Sequence, residues 1–141
     1  MSMTGLTVFD LTVHKTNSWL NDLMQVLDWP DKQRVYLALR AVLHALRDRL
    51  TVEEVAQLGA QLPMLIRGFY YEGWDPTLKP LRERHKEQFL TRIEREFGRE
   101  DLIDSECVAR AVFVLLANRI SDGEIEDVKQ ILPAEIRSLW P

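Results

Sequence analysis

The sequence has one cysteine and no long apolar run, and each absence excludes a class of protein. Cys107 has no partner for an intramolecular disulfide, and because free cysteine is usually buried we expect this side chain in the core. The longest apolar run, residues 111–117, is far below the roughly 20 residues that cross a bilayer. The first ten residues lack the basic segment of a signal peptide. We therefore expect a cytoplasmic protein without a membrane span.

Positive charge is also scarce. The 141 residues include 18 Lys and Arg against 22 Asp and Glu, which gives a formal net charge of −4. Nucleic-acid binding needs clustered cations that displace counterions, and the one basic cluster, residues 79–86, is interrupted by Glu83. We predict no nucleic-acid partner and interpret the cluster as a solvated connecting segment.

Catalytic and cofactor motifs are missing too. The glycine patterns of the nucleophile elbow, the P-loop and the dinucleotide fold do not occur. The three histidines stand too far apart in the chain for a zinc site at helical spacing. A calcium loop aligned on Gly123 would place Ile120 and Lys129 where acidic ligands are required. The sequence predicts neither an enzyme nor a bound metal or cofactor.

What the sequence does contain is a copy of itself. A gapless shift of 70 positions aligns residues 18–70 with residues 88–140 and gives 12 identities over 53 positions. Such a period predicts a duplicated structural unit, and a unit this short buries too little surface to fold alone. We predict a single domain, residues 1–141, in which the first repeat (18–70) and the second repeat (88–140) are joined by a linker (71–87) and related by a pseudo-two-fold axis.

Each repeat is predicted to form four helices. Apolar residues recur at helical spacing, and Thr51 with Glu54, like Ser121 with Glu124, matches the capping box, in which a hydroxyl and a carboxylate accept from amides at a helix start. A proline follows twelve residues after each hydroxyl and suits the first turn of a further helix. The fold class is therefore all-α, a bundle of about eight helices built from two tandem four-helix repeats. The helix containing residues 111–117 is apolar nearly all round and is expected at the centre.

The start of the linker, residues 71–76, has no counterpart in the second repeat. Gly73 suits a left-handed helix end, and Pro76 keeps the helix from resuming. Tyr71 and Trp74 are expected to pack across the seam between the repeats, with an aromatic recognition surface as the alternative.

One signature runs from the end of the first repeat into the linker. Together with the RAVLHAL and RAVFVLLA blocks and the FLTRIEREFG segment, it resembles the bacterial family DUF2267, a domain of unknown function, over nearly the whole chain from about residue 16. The resemblance implies a small all-helical bacterial protein and no assigned catalytic residue. The signature residues are Leu62, Pro63, Arg67, Gly68, Tyr70, Gly73, Trp74 and Pro76.

The duplicated arginines are further candidates for a site. Arg40 and Arg110 precede apolar runs, and an enclosed guanidinium needs an acidic partner. We predict an internal arginine–carboxylate contact in each repeat, with Arg67 and Arg137 as further candidates. The alternative is an anion or acidic-peptide site in a groove near the pseudo-axis. The candidate carboxylates are those shared by the repeats: Glu54, Glu124, Asp31 and Asp101.

Two functions remain open from the sequence. The first is a non-enzymatic helical interaction or scaffold module that presents a groove or apolar seam to a protein partner or to another copy of itself. The second is a small-molecule or anion-binding or sensing domain that uses the space between the repeats. Arg67 and Arg137 would meet the anionic ligand, and Tyr71 and Trp74 are candidate contact residues in either case. A deep pocket lined by both arginines would favour the second function, and an exposed apolar patch would favour the first.

Overall fold

A computed structural model describes residues 3–99 and 101–141, which form eight helices and no strand. The all-α prediction is therefore confirmed for the described part of the chain. No helix there is long and apolar enough to cross a membrane. The helices are α1 (Thr7–Leu27), α2 (Lys32–Arg47), α3 (Val52–Ala60), α4 (Met64–Tyr71), α5 (Lys86–Arg95), α6 (Ser105–Arg119), α7 (Asp122–Ile131) and α8 (Ala134–Arg137).

The first helix break falls at the Asp-Trp-Pro-Asp segment, as its residues predict. Asp28 ends α1 in a left-handed conformation, with φ of 56°, and its amide donates to the Met24 carbonyl. Asp31 begins α2 because its carboxylate accepts from the amides of Gln33 and Arg34. Two bounds differ from those that apolar spacing indicates: the regular spacing starts at Trp19 but α1 begins twelve residues earlier, and the spacing continues to Leu50 but α2 ends at Arg47.

Only one half of each capping box forms. The Thr51 hydroxyl accepts from the Glu54 amide at 3.2 Å, and the Ser121 hydroxyl accepts from the Glu124 amide at 3.3 Å. In the described chain, neither glutamate carboxylate accepts from the amide of its own cap residue. Each has one buried oxygen without a hydrogen-bond partner. The predicted carboxylate half of the box is therefore wrong, because these side chains turn away from their own helix starts.

The two repeats interleave. α1 of the first repeat packs on α6 of the second, and α5 of the second packs on α2 of the first. The Arg119 guanidinium lies 5.9 Å from the Trp19 ring centre, and seventy positions earlier Arg49 lies 5.0 Å from the ring centre of Phe89. Apolar side chains from both repeats thus form one core. The pseudo-two-fold relation between them stays a prediction.

The central helix α6 contacts α1, α2, α5 and α7, but the predicted burial of its cysteine is wrong. Its buried face holds Phe113, which stacks on Trp140 with ring centres 4.1 Å apart. Cys107 is exposed instead of buried and borders a shallow surface groove with Arg110. Residues three apart on a helix share a face, so Cys107 and Arg110 lie together on the outer stripe.

Candidate functional site

The linker aromatics pack close to the helix that precedes them. Gly73 is left-handed, with φ of 74°, as predicted. The Tyr71 ring lies 4.9 Å from the Tyr70 ring and 5.5 Å from the Trp74 ring. Its hydroxyl approaches α3 so closely that a Cβ on Gly59 would lie 2.6 Å from the hydroxyl oxygen. These contacts of Tyr71 lie within the first repeat and the linker rather than across the seam.

Trp74 is half-buried in a crevice of about 320 Å³ where the linker passes the end of α2. Leu50 and Pro80 line the same crevice, and Arg92 of the second repeat closes one side. Trp74 therefore lies at the seam between the repeats.

Arg67 and Arg137 donate hydrogen bonds to carbonyls at the C-terminal ends of α3 and α7. Arg67 donates from Nε to the Gly59 carbonyl at 2.8 Å and from Nη2 to the Leu62 carbonyl at 2.8 Å. Arg137 makes the matching contacts seventy positions on, at 3.0 Å and 2.8 Å. The last carbonyls of a helix have no partner within it, so these guanidinium groups satisfy acceptors that would otherwise depend on water.

Removing one of these contacts gives a direct test of their role. Arg67→Ala is expected to lower the free energy of unfolding by about 1 to 3 kcal/mol, since it leaves part-buried carbonyls without donors. Urea unfolding followed by circular dichroism measures the change, with exposed Arg84→Ala as the matched control. Added phosphate should stabilise wild type and Arg67→Ala equally. Selective stabilisation of the wild type would instead indicate that Arg67 binds anions.

Arg40 and Arg110 contact other carboxylates than those predicted. Arg40 lies 3.8 Å from Glu72 and 3.6 Å from Glu96. Arg110 is exposed and contacts Glu106, one helical turn away, at 3.1 Å. The predicted enclosure of Arg110 is wrong because its face of α6 points outward. Neither arginine pairs with the capping-box glutamates.

The shared aspartates act separately from those arginines. Asp31 caps α2, and Asp101 accepts two hydrogen bonds from Arg34, at 3.2 Å and 2.7 Å. The Arg34 guanidinium also lies 4.1 Å from the centre of the Trp29 ring. This bidentate contact fastens the start of α2 to the segment before α6.

Glu54 and Glu124 approach each other where α3 meets α7. Both are buried, with 6% and 7% of their surfaces exposed, and each has one buried oxygen without a hydrogen-bond partner in the described chain. Burial, the hydrogen bond to Glu124 and the nearby charges raise the pKa of Glu54 to about 8. With a pKa of about 8, Glu54 keeps its proton at neutral pH in the metal-free chain. Sequence reasoning placed these side chains on separate caps, although their equal position in the repeat could have suggested a meeting at the pseudo-axis.

Sequence reasoning also missed a buried polar connection between α2 and α4. Arg47 donates from Nη1 to the carbonyls of Tyr70 and Glu72, at 2.7 Å and 2.8 Å. The His44 Nε2 lies 2.7 Å from the Phe69 carbonyl oxygen, and burial lowers the pKa of His44. The available signal was a pair of ionisable residues within the apolar stretch of α2.

An apolar cleft with a volume of about 800 Å³ lies between α1, α2 and α4. We call it the α1–α4 cleft. The exposed charges of Lys32 and Glu72 border it, and the buried Thr16 hydroxyl beside it has no hydrogen-bond partner in the described chain. At Gly68, an added Cβ would meet nothing within 4 Å. The main apolar residues of the lining are Phe9, Val13, Leu20, Met64, Leu65 and Phe69.

The family model described as "Uncharacterized conserved protein (DUF2267)" matches residues 16–139. The match confirms the resemblance found in the sequence, which begins at the same position. No curated protein matches the chain.

Proposed function

We propose, since the chain belongs to the DUF2267 family of uncharacterized conserved proteins, that it is a non-enzymatic helical interaction module. Its binding surface is the α1–α4 cleft, and its partner is a second molecule of the same chain. The observation that carries the proposal is that one chain presents both an apolar cleft and, directly beside it, an exposed apolar helix end.

The exposed apolar residues are concentrated at this place. Of the thirteen large hydrophobic residues that are exposed in the described chain, seven lie at the N-terminal end of α1 or the start of α4. A concentration of exposed apolar side chains marks a binding surface, because covering them with a partner lowers the free energy. The seven residues are Met3, Leu6, Val8, Phe9, Leu11, Met64 and Leu65.

The start of α1 suits a self-complementary contact. Leu6 directly precedes α1, Val8 and Leu11 share one face of the helix, Phe9 points toward the cleft, and all four remain exposed. One molecule thus offers an apolar helix end and an apolar cleft whose wall includes Phe9. In a two-fold dimer the same patch occurs on both partners, so each helix end can enter the cleft of the other molecule.

Charge at the border of the cleft agrees with this arrangement. Lys32 and Glu72 stand beside the same cleft with opposite charge. In an isologous pair, Lys32 of one molecule can approach Glu72 of the other, and the reverse contact forms by symmetry. A partner whose surface carried mainly one sign of charge could form a favourable contact with only one of these two residues.

The anion-binding alternative has less support. Arg67 and Arg137 already donate to helix-end carbonyls, and neither borders the α1–α4 cleft. The cleft lining is mainly apolar, which favours an apolar occupant over an anion.

A matched pair of substitutions on α1 tests the proposal. Val8→Glu is expected to abolish the concentration-dependent dimer in sedimentation velocity, because it places a charge in the apolar contact. Val26→Glu is the control: Val8 and Val26 are 52% and 48% exposed on the same helix, about 27 Å apart along its axis. A wild-type chain that stays monomeric, or equal loss of the dimer in both variants, would overturn the proposal.

A second variant fills the cleft without removing any side chain. Gly68→Trp is expected to block dimerisation while leaving the thermal midpoint close to that of the wild type, because the space around Gly68 is open. If this variant still dimerises, the cleft is not the contact surface. A wild-type monomer that retains an apolar small molecule in native mass spectrometry, and loses it in Gly68→Trp, would replace the dimer by ligand binding.

A location in the bacterial cytoplasm belongs to the same proposal. Its support is the exposed lone thiol of Cys107, which suits a reducing compartment.

A further inference from the structure

Three carboxylates that do not border the α1–α4 cleft come together where α3 packs on α7. One carboxylate oxygen from each of Glu54, Glu124 and Asp127 lies within 4.8 Å of the other two. They come from two helices and both repeats, so no contiguous metal-binding motif marks them in the sequence. From this arrangement we infer that Glu54, Glu124 and Asp127 bind a divalent cation, with Ca²⁺ as the best-fitting probe.

The buried oxygens give an independent reason to expect a ligand. Glu54 and Glu124 are each more than nine-tenths buried, and each has a buried oxygen that meets no donor among the described residues. A buried acceptor without a donor costs free energy, and two neighbouring carboxylates add electrostatic repulsion. A cation bound between the carboxylates offsets both costs.

The ligand chemistry selects a hard cation. All three ligand atoms are carboxylate oxygens, the type that Ca²⁺, Mg²⁺ and Mn²⁺ prefer over zinc or copper. Ca²⁺ is the better probe because its flexible shell of about six to eight oxygens tolerates irregular geometry, whereas Mg²⁺ demands a near-ideal octahedron and gives up its water ligands reluctantly. Asp127 is exposed, so water can complete the coordination shell from that side.

The helix ends contribute to the same site. Glu54 and Glu124 belong to the first turns of α3 and α7. Gln61 ties the two helices together by accepting from the Ser121 amide at 3.0 Å and donating to its hydroxyl at 3.0 Å. The carboxylates are thus held on a fixed pair of helices rather than on loops.

The cation has a second candidate location, which serves as the control. His85, Glu87 and Glu135 also come together, but all three are exposed and His85 already contacts Glu135 at 2.9 Å. Glu135→Gln removes one carboxylate from that exposed group. It matches Glu124→Gln in chemistry and differs in burial.

Calorimetry on the full chain, after EDTA treatment and removal of the chelator, tests the inference. Titration with CaCl₂ is expected to show one ion bound per chain and to raise the thermal midpoint by several degrees. Glu124→Gln should weaken binding tenfold or more, and Glu135→Gln should leave it unchanged. Because Glu124→Gln also removes like-charge repulsion, the variant should fold at least as well as the metal-free wild type.

Each other outcome overturns the inference. If CaCl₂ produced neither a heat of binding nor a shift of the thermal midpoint, no cation would bind there, and a proton would be the only bridge between the glutamates. Equal binding by wild type and Glu124→Gln would place the ion elsewhere, and selective loss in Glu135→Gln would assign it to the exposed group. The test is independent of dimerisation, since none of the three carboxylates borders the α1–α4 cleft.

Discussion

Replacing Arg47 with alanine is expected to lower the free energy of unfolding by about 3 to 5 kcal/mol, as loss of a buried charged group with several partners usually does. The Arg47 side chain is only 4% exposed and joins the end of α2 to the end of α4. Its removal leaves the carbonyls of Tyr70 and Glu72 and the carboxylate of Asp48 without this donor. It also opens a cavity beside the core.

Chemical denaturation at several urea concentrations measures this loss, and Arg110→Ala provides the comparison. Arg110 is exposed and contacts a carboxylate on its own helix, so its removal should change stability by less than about 0.5 kcal/mol. Equal effects of the two substitutions would show that the Arg47 contacts contribute nothing beyond an ordinary surface arginine.

The second large effect concerns pH. In buffer with a chelator, the free energy of unfolding should fall by roughly 2 to 4 kcal/mol between about pH 5 and pH 8 through Glu54 alone. Burial and the facing Glu124 raise the pKa of Glu54 from 4.5 to about 8, while Asp127 and Glu53 act in the same direction. The folded state therefore binds a proton that the unfolded state releases. The stabilisation is complete below pH 4.5 and is lost as the pH rises through about 8.

Glu54→Gln isolates this contribution. In this variant the free energy of unfolding should fall much less steeply with rising pH, and near pH 8 it should be higher than that of the wild type. His44 works in the opposite direction, because burial lowers its pKa, but it is present in both chains and cancels in the difference. Exposed Glu53→Gln is the neighbouring control and should decline almost as steeply as the wild type, because Glu53 is the smallest of the named causes of the raised pKa. Parallel curves for wild type and Glu54→Gln would rule out a retained proton on Glu54.

The fold was predictable where local chemistry decides it. The hydroxyls of Thr51 and Ser121, the break at Asp28 and the left-handed Gly73 each act on neighbours within a few residues. Such effects are visible in a single sequence because they depend on spacing. Apolar periodicity likewise indicated the helices, although the start of α1 escaped it since its apolar residues remain exposed.

The site was less predictable because its contacts join distant parts of the chain. Arg67 and Arg137 stood out as duplicated cations, but in the structure both guanidinium groups donate to helix-end carbonyls. The Glu54–Glu124 contact depends on how two repeats meet, which spacing within one repeat does not contain. The exposure of Cys107 depends on the rotation of α6 against its neighbours, and burial statistics for cysteine carry no information on that rotation.

Methyl NMR over a dilution series of the unmodified chain tests the central claim most directly, because it reports both whether the protein associates and where. We expect concentration-dependent shifts for the methyl groups of Val8, Leu11 and Leu65, with those of Val26 and Val52 unchanged. If no methyl signal moved on dilution, or if the signals of Val26 or Val52 moved instead, association through the α1–α4 cleft would be contradicted.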